Sequence, residues 1–303
     1  MMPVITLENV TKRYRSTTIL DQLNLEIREN TITGLIGRNG VGKTTLMKMI
    51  AGFIKESGGE LRVFGERPFN SLSVSANMIF VDDMMGFPDA MTLEDLLLEF
   101  NRFYENWDGE LAERLLKYFR LPLTLNHRVL SKGKRSTFNA IVGIAARCPL
   151  TMFDEPITGM DAGARSDFYR ALLKDYLAHP RTILLSSHHM EEMEDLLEDI
   201  LLIEGKGIAF HSSITELQEK FIKFQGKENV LKQYANQYAV IHRTSTGPLT
   251  EWIVDNEHTK AELTELKQAG IRVSAVSASE AYLAMTGQTR GGVDDVFDAM
   301  EYE

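Results

Sequence analysis

The segment from residue 37 to residue 45, GRNGVGKTT, limits the possible folds of this chain more than any other feature. It matches the spacing G-x-x-x-x-G-K-[ST]. The apolar run before it, 31–36, is typical of a buried strand, and the residues after it, 44–51, have the apolar spacing of a helix. A buried strand that enters a helix through a glycine turn indicates an α/β core.

This strand, turn and helix together form a site for anions. Backbone N–H groups converge at the helix N-terminus, where the helix dipole favours negative charge. Glycines let the backbone approach a phosphate closely and adopt conformations that a Cβ would forbid. We therefore expect the Lys43 ammonium to contact the terminal phosphates of a nucleotide and the Thr44 hydroxyl to bind Mg²⁺. The residues expected to surround the phosphates are Gly37, Arg38, Asn39, Gly40, Val41, Gly42, Lys43, Thr44 and Thr45.

Length and composition restrict where such a chain can work. Its 303 residues suffice for one large domain and a smaller one. No apolar run approaches the roughly 18 residues that span a bilayer, and the N-terminus lacks the basic flank and apolar core of a secretory signal. A net charge of −10 argues against broad nucleic-acid binding, and Cys148, the only cysteine, excludes an internal disulfide. We expect a cytoplasmic protein that reaches a membrane only through a partner.

The apolar patterns predict a first domain over 1–225. Strand patterns extend to residue 81, helical patterns dominate from about 92 to 149, and strand patterns return at 150–153 and 182–186. This order predicts an α/β nucleotide-binding domain with a helical subdomain over about 92–149.

A second domain is predicted over 226–303. A helical pattern at 214–224 and a polar segment at 225–229, interpreted as a linker, separate it from the first domain. Alternating strand patterns and two capped helices then predict a small α/β domain with an acidic tail. Its histidines are isolated, and no cluster of chemically active residues stands out.

Two acidic residues end the apolar strand pattern at 150–153. A carboxylate at the edge of a core needs a cation or a hydrogen-bond donor, so two acids at the end of this strand indicate a functional site. We expect Asp154 to hold Mg²⁺ through its water shell. Glu155 points to the other side of the strand, from which it could polarise an attacking water.

Two further segments place polar residues where they could contact a phosphate. The sequence LSKGK at 130–134 opens a helix with a hydroxyl and a glycine, which predicts a second anion-binding helix N-terminus. Ser187 and His188 directly follow the apolar run 182–186, at a place where a histidine can reach a γ-phosphate.

In this order and context, the motifs resemble those of the ATP-binding subunit of an ABC transporter, over about residues 4–220. The resemblance implies a P-loop NTPase fold that binds ATP and Mg²⁺, with Glu155, His188 and Lys43 as catalytic residues. It places Tyr14 where an aromatic ring stacks on adenine. It places Asp83 at the position of the family's glutamine, which lies close to Mg²⁺ and contacts the membrane partner. The resemblance also assigns nucleotide contacts to Ser131 and Gly133, across a dimer, and to Asp161. Asp161 ends the segment Thr158, Gly159, Met160 and Asp161, which corresponds to the loop that links the two sites.

Only one phosphate loop is present, so the resemblance implies that two chains complete each ATP site. The expected partners are a second copy of the chain, or a second ATPase subunit, and an integral-membrane permease. The single ATPase domain with a C-terminal α/β domain is similar to ATPases of ABC-2-type exporters, including the YtrB-like branch. These implications place the chain on the inner face of the cell membrane.

Two positions depart from the family pattern. Lys132 and Lys134 stand where the signature L-S-G-G-Q has a glycine and a glutamine, and Asp83 stands where a glutamine is usual. We hypothesise that one of the two lysines balances the Asp83 charge in the assembled dimer. The alternative is that these side chains face solvent and only the backbone matters.

Other classes of ATPase share some of these motifs. Structural-maintenance and repair ATPases insert long coiled coils between the phosphate loop and the acidic strand, and no sustained heptads separate Lys43 from Asp154 here. Translation-factor relatives have two such cassettes in one chain. A regulatory or non-transport ABC ATPase with low turnover remains the alternative, because of Lys132, Lys134 and Asp83.

Overall fold

The computed structural model describes residues 3–187, 190–246, 249–257 and 259–286. These residues form two compact units that divide between His211 and Ser212. The first unit contains two sheets and the second contains one, and each unit has its own buried core.

The first unit contains nine strands and six α-helices among its described residues. Its strands are β1 (Pro3–Tyr14), β2 (Thr17–Arg28), β3 (Ile32–Ile36), β4 (Gly58–Val63), β5 (Met78–Val81), β6 (Leu150–Asp154), β7 (Thr182–Ser187), β8 (Asp199–Glu204) and β9 (Gly207–Ser213), the last crossing the division by two residues. Its helices are α1 (Lys43–Ile50), α2 (Leu72–Ala76), α3 (Leu93–Phe103), α4 (Gly109–Tyr118), α5 (Lys132–Ala146) and α6 (Ala162–Ala178).

A six-stranded sheet forms the centre of this unit, in the order β5-β6-β7-β3-β8-β9. The five strands from β5 to β8 in this order are parallel. Every residue of β3, β5, β6 and β7 is buried, as expected for parallel strands covered on both faces. Since parallel strands end at the same edge, the phosphate loop after β3 and the acidic pair at the end of β6 meet there.

A smaller antiparallel sheet, β2-β1-β4, packs over the phosphate-loop helix. The alternation seen in the sequence has a direct cause here, because Leu23, Leu25 and Ile27 face a core that includes Leu46 and Met47 of α1. The strand patterns near the N-terminus are therefore confirmed.

Helices α3, α4 and α5 occupy most of the chain between β5 and β6, in the segment predicted to be a helical subdomain. The predicted capping box of α3 is present: the Asp95 amide donates to Thr92 Oγ1 at 3.2 Å, and the Thr92 amide donates to Asp95 Oδ2 at 2.9 Å. Helix α5 lies close against β6 at Gly143, where an added Cβ would be 2.4 Å from Phe153 Cε1.

The second unit is an antiparallel sheet with helices. Its strands are β10 (Phe221–Lys227), β11 (Val240–Thr246), β12 (Leu249–Asp255) and β13 (Arg272–Ala275), in the order β11-β12-β10-β13. Its helices are α7 (Ile214–Lys220), α8 (Glu228–Leu231), α9 (Lys260–Gln268) and α10 (Ala278–Thr286). The core contains Phe224, Trp252 and Leu266.

Two predictions at the start of this unit are corrected. The helix expected over 214–224 ends at Lys220, and the linker expected over 225–229 is the end of β10 followed by α8. The reason is sheet pairing, because β10 is a central strand between β12 and β13. The boundary between the two units accordingly lies before β10, whereas the sequence predicts a domain boundary after residue 225. Residues 287–303, with the predicted helix end and acidic tail, lie outside the described part of the chain.

Candidate functional site

The phosphate loop connects the buried strand β3 to helix α1. Gly42 precedes the helix with a φ of +116°, in the left-handed region that favours glycine, and an added Cβ would lie 2.7 Å from Leu20 Cδ2. The first N–H groups of α1 have no partners within the helix and face the loop. The local geometry therefore presents converging backbone donors at the carboxyl edge of the sheet.

Lys43 connects the loop to the acidic strand. Its side chain is 6% exposed, and its Nζ donates to the Gly37 carbonyl oxygen at 2.7 Å. The same Nζ lies 3.6 Å from Glu155 Oε1. A buried ammonium needs such partners, so this cation is held at the loop by groups of its own chain.

The predicted acidic pair lies beside this lysine. Asp154 is buried at the last position of β6 and accepts a hydrogen bond from Ser186 Oγ at 2.5 Å. The Glu155 amide donates to the same Ser186 Oγ at 3.0 Å. Glu155 has a φ of +49°, a left-handed conformation that is uncommon outside glycine. The chain turns sharply at Glu155, so the two carboxylates leave the strand in different directions.

The loop after β5 places two more carboxylates near the site. Because Val81 pairs with Phe153, Asp82 follows β5 at the level where Asp154 ends β6. Asp82 is half-buried and its Oδ2 lies 3.9 Å from Lys48 Nζ. Burial raises the pKa of Asp82, the Lys48 charge opposes this shift, and the charges of Asp83 and Asp154 add to it.

Asp83, the next residue along the chain, is exposed. It lines a cavity of about 210 Å³ together with Lys132, Arg135, Ser136 and Asn139 of α5. The resemblance assigns the Mg²⁺ role to Asp83, whereas Asp82 is the member of this acidic pair that the structure brings level with Asp154. The available signal was that Asp82 directly follows its strand pattern, but the register with β6 is needed to bring it level with Asp154.

The signature segment forms the N-terminus of α5. Ser131 is its N-cap, and its Oγ accepts the Lys134 amide at 3.4 Å. An added Cβ on Gly133 would lie 2.2 Å from the Gly159 carbonyl oxygen, so only a glycine allows this contact between α5 and the 158–161 loop. Ser131, Lys132 and Lys134 are exposed.

The 158–161 loop connects the signature segment to the acidic pair at the end of β6. The Ser136 hydroxyl of α5 donates to the Thr158 carbonyl at 2.7 Å, and the Thr158 hydroxyl donates to the Glu155 carbonyl at 2.9 Å. Asp161 caps α6 by accepting the Ala164 amide at 2.9 Å. The chain thus links the signature helix to the acidic strand by direct hydrogen bonds.

Two predicted residues remain, Tyr14 and His188. Tyr14 ends β1 and is 48% exposed, with the Lys12 ammonium 4.9 Å from the centroid of its ring. His188 lies outside the described residues, one position beyond the end of β7.

A parallel sheet, a glycine-rich loop before a helix and a buried strand ending in two acids define a P-loop NTPase. The profile of the family described as "ABC transporter" matches residues 20–158. The chain is 33% identical to the Nod factor export ATP-binding protein I of Cupriavidus metallidurans over 219 residues, 69% of this chain and 71% of that protein. It is 29% identical to the ABC transporter ATP-binding protein YtrB of Bacillus subtilis over 222 residues, 73% and 76% of the two chains.

The chain belongs to the ABC transporter ATP-binding family and is an ATPase. Solved structures agree on the fold. An ATP-binding subunit of an ABC transporter superposes with a TM-score of 0.64 at 21% identity, over 71% of this chain and 92% of that one. A dimeric ATP-binding cassette in a post-hydrolysis state with ADP and Pi superposes with a TM-score of 0.61 at 20% identity, over 69% and 98%. Among the described residues, no helix is long and apolar enough to cross a membrane.

Proposed function

We propose that this ATPase drives a separate membrane permease, in the direction of export, and that two copies of the chain enclose ATP between them. The observation that supports this most is the division of the site. Lys43, Asp154 and Glu155 lie together, whereas the polar groups of Ser131 and the lysines beside it are exposed at another helix N-terminus. A phosphate loop of one copy facing Ser131 and Gly133 of the other would complete both sites. The name of one similar protein, the Nod factor export ATP-binding protein I of Cupriavidus metallidurans, supports the export direction.

The residues of one chain then have distinct roles in ATP hydrolysis. The loop N–H groups and Lys43 hold the phosphates, and the exposed ring of Tyr14 stacks on adenine. Glu155 polarises the attacking water. His188 contacts the γ-phosphate, and Asp161 belongs to the loop between the two sites.

Oxygen ligands at this edge of the sheet fit Mg²⁺. Asp154 offers a buried carboxylate whose orientation is held by Ser186, and Thr44 offers a hydroxyl at the start of α1. Such a set suits Mg²⁺, which is usually bound by one or two carboxylates together with waters and substrate phosphates. When bound, Mg²⁺ would neutralise charge on the phosphate oxygens. Asp83 was predicted to join its water shell, and the strand register favours Asp82.

The Glu155→Gln variant tests this function. It should bind ATP with an affinity within about two-fold of the wild type, lose turnover by roughly 100-fold or more, and accumulate as a dimer with ATP. Dimer formation is measured by light scattering during size-exclusion chromatography, and turnover by phosphate release. Glu29→Gln makes the same change at an exposed position and should behave as the wild type. Normal turnover of Glu155→Gln would remove Glu155 from this role.

Membrane coupling has its own test. The full chain should co-purify from membranes with an integral-membrane protein. Addition of that protein should change the ATPase rate of the chain. The alternative, a regulatory ATPase with low turnover, is favoured by the cations at Lys132 and Lys134. A wild-type dimer that binds ATP but shows no turnover with its membrane partner would establish that alternative.

A further inference from the structure

A buried amide connects helix α5 to the loop after β5. Asn139 is 2% exposed, and its Nδ2 donates to the Asp82 carbonyl oxygen at 3.1 Å. Its Oδ1 lies 2.8 Å from His127 Nε2. Both ends of the amide are therefore engaged, which fixes its orientation, because the nitrogen can only donate and the oxygen can only accept.

His127 determines that orientation. Because Asn139 Oδ1 must accept, His127 Nε2 must carry the proton that it donates. Burial lowers the pKa of His127, the bond to Asn139 opposes this shift, and the Arg135 charge adds to it, so the ring is neutral at neutral pH. A neutral ring with its proton on Nε2 is the form that holds the amide in place.

The same histidine also holds the loop by packing. Its ring meets Phe87 edge to face, with centroids 4.8 Å apart, and Phe87 lies five positions after Asp82. It also contacts Phe138 of α5, at 5.5 Å. His127 begins a short 3-10 turn, His127–Val129, that leads directly to Ser131. The loop after β5 is thus fastened at two points to the elements that carry the signature segment.

We propose that Asn139, oriented by His127, is a positioning residue that makes the Asp82 loop move together with helix α5. The consequence rests on the proposed function. When ATP engages Ser131 and Gly133 at the start of α5, the shift of the helix reaches the Asp82 carbonyl through one hydrogen bond. The pairing of β5 with β6 keeps Asp82 level with Asp154, and the orientation of the Asp82 carboxylate then depends on whether the signature segment is engaged. Neither Asn139 nor His127 touches the nucleotide in this arrangement.

Three variants of the full chain test this positioning. Asn139→Ala removes both hydrogen bonds and should raise the Mg²⁺ concentration for half-maximal turnover about ten-fold. It should also speed hydrogen exchange of the 82–87 amides about ten-fold, while nucleotide affinity without Mg²⁺ stays within about two-fold. His127→Phe keeps an aromatic ring but loses the donor, and should change both quantities about three- to five-fold. His127→Gln keeps an N–H donor and should stay within about two-fold of the wild type.

Asn126→Ala is the matched control. Asn126 Nδ2 donates to the Asp89 and Met91 carbonyls, so its loss loosens the far end of the same loop without touching Asp82. It should leave the Mg²⁺ dependence within about two-fold of the wild type. An equal effect in Asn126→Ala, or an unchanged Mg²⁺ dependence and unchanged exchange in Asn139→Ala, would overturn the positioning role. Wild-type turnover reports on the proposed function separately, since its absence would defeat that function while the exchange measurement still tests the loop contact.

Discussion

The phosphate loop at 37–45 and the signature segment at 130–134 each place a glycine near the start of a helix, but their cations differ. Lys43 of the loop is buried and is held by the Gly37 carbonyl and Glu155 of the same chain. Lys132 and Lys134 of the signature segment are exposed. On the proposed function, this difference means that one chain holds ATP with its own phosphate loop and presents its signature segment to the second copy. Changes in the two segments should therefore separate binding from turnover.

The largest effect is expected at the phosphate loop. Lys43→Ala removes a buried ammonium whose partners are a carbonyl and a carboxylate, and ATP affinity should fall about 100-fold or more, because charge-assisted hydrogen bonds to phosphates are lost. Titration with a fluorescent ATP analogue measures the loss. Lys117→Ala, on an exposed position of α4, is the control and should bind normally. Tight binding by Lys43→Ala would break the comparison, since the loop would then not be the binding side.

The second effect separates the signature segment from the loop. In Gly133→Ala, the new Cβ would lie 2.2 Å from the Gly159 carbonyl, so α5 must move away from the 158–161 loop. Turnover should fall about 30-fold, while ATP affinity of the isolated chain stays within about two-fold. Gly207→Ala adds the same methyl where nothing lies within 4 Å and should leave both quantities unchanged. Equal losses of ATP affinity and turnover in Gly133→Ala would contradict this separation, because both segments would then contribute to ATP binding by the isolated chain.

The same two segments show what a sequence can predict. The phosphate loop is local, because its glycines, Lys43 and the flanking apolar runs lie within one short stretch, and their spacing alone carries the chemistry. The acidic pair at the end of β6 is also predictable from the sequence, because an apolar strand pattern that ends in two carboxylates is uncommon. Likewise, the Ser131 cap was visible as a hydroxyl before a helical pattern, and the structure confirms that cap.

What escaped prediction depends on contacts between distant parts of the chain. Asp82 comes level with Asp154 only through the pairing of β5 with β6, and Gly133 meets Gly159 only after α5 and the 158–161 loop have packed. The misplaced linker has a similar cause. Gly226 and its polar neighbours suggest a loop, but β10 is a central strand of the second sheet.

The smallest effect concerns the two departures from the family pattern, which the structure brings to one place. Asp83 and Lys132 line the same cavity of about 210 Å³. If their charges compensate, Asp83→Gln and Lys132→Gly should each lower turnover about three-fold, and the double variant should return to within about two-fold of the wild type. Steady-state phosphate release from all four proteins completes the cycle. Lys134→Gln is the comparison, because Lys134 is exposed and does not line that cavity, so its effect should simply add to that of Asp83→Gln. If the losses of turnover in Asp83→Gln and Lys132→Gly simply add in the double variant, the two charges do not compensate each other. The signature segment would then differ from the phosphate loop only in the exposure of its lysines.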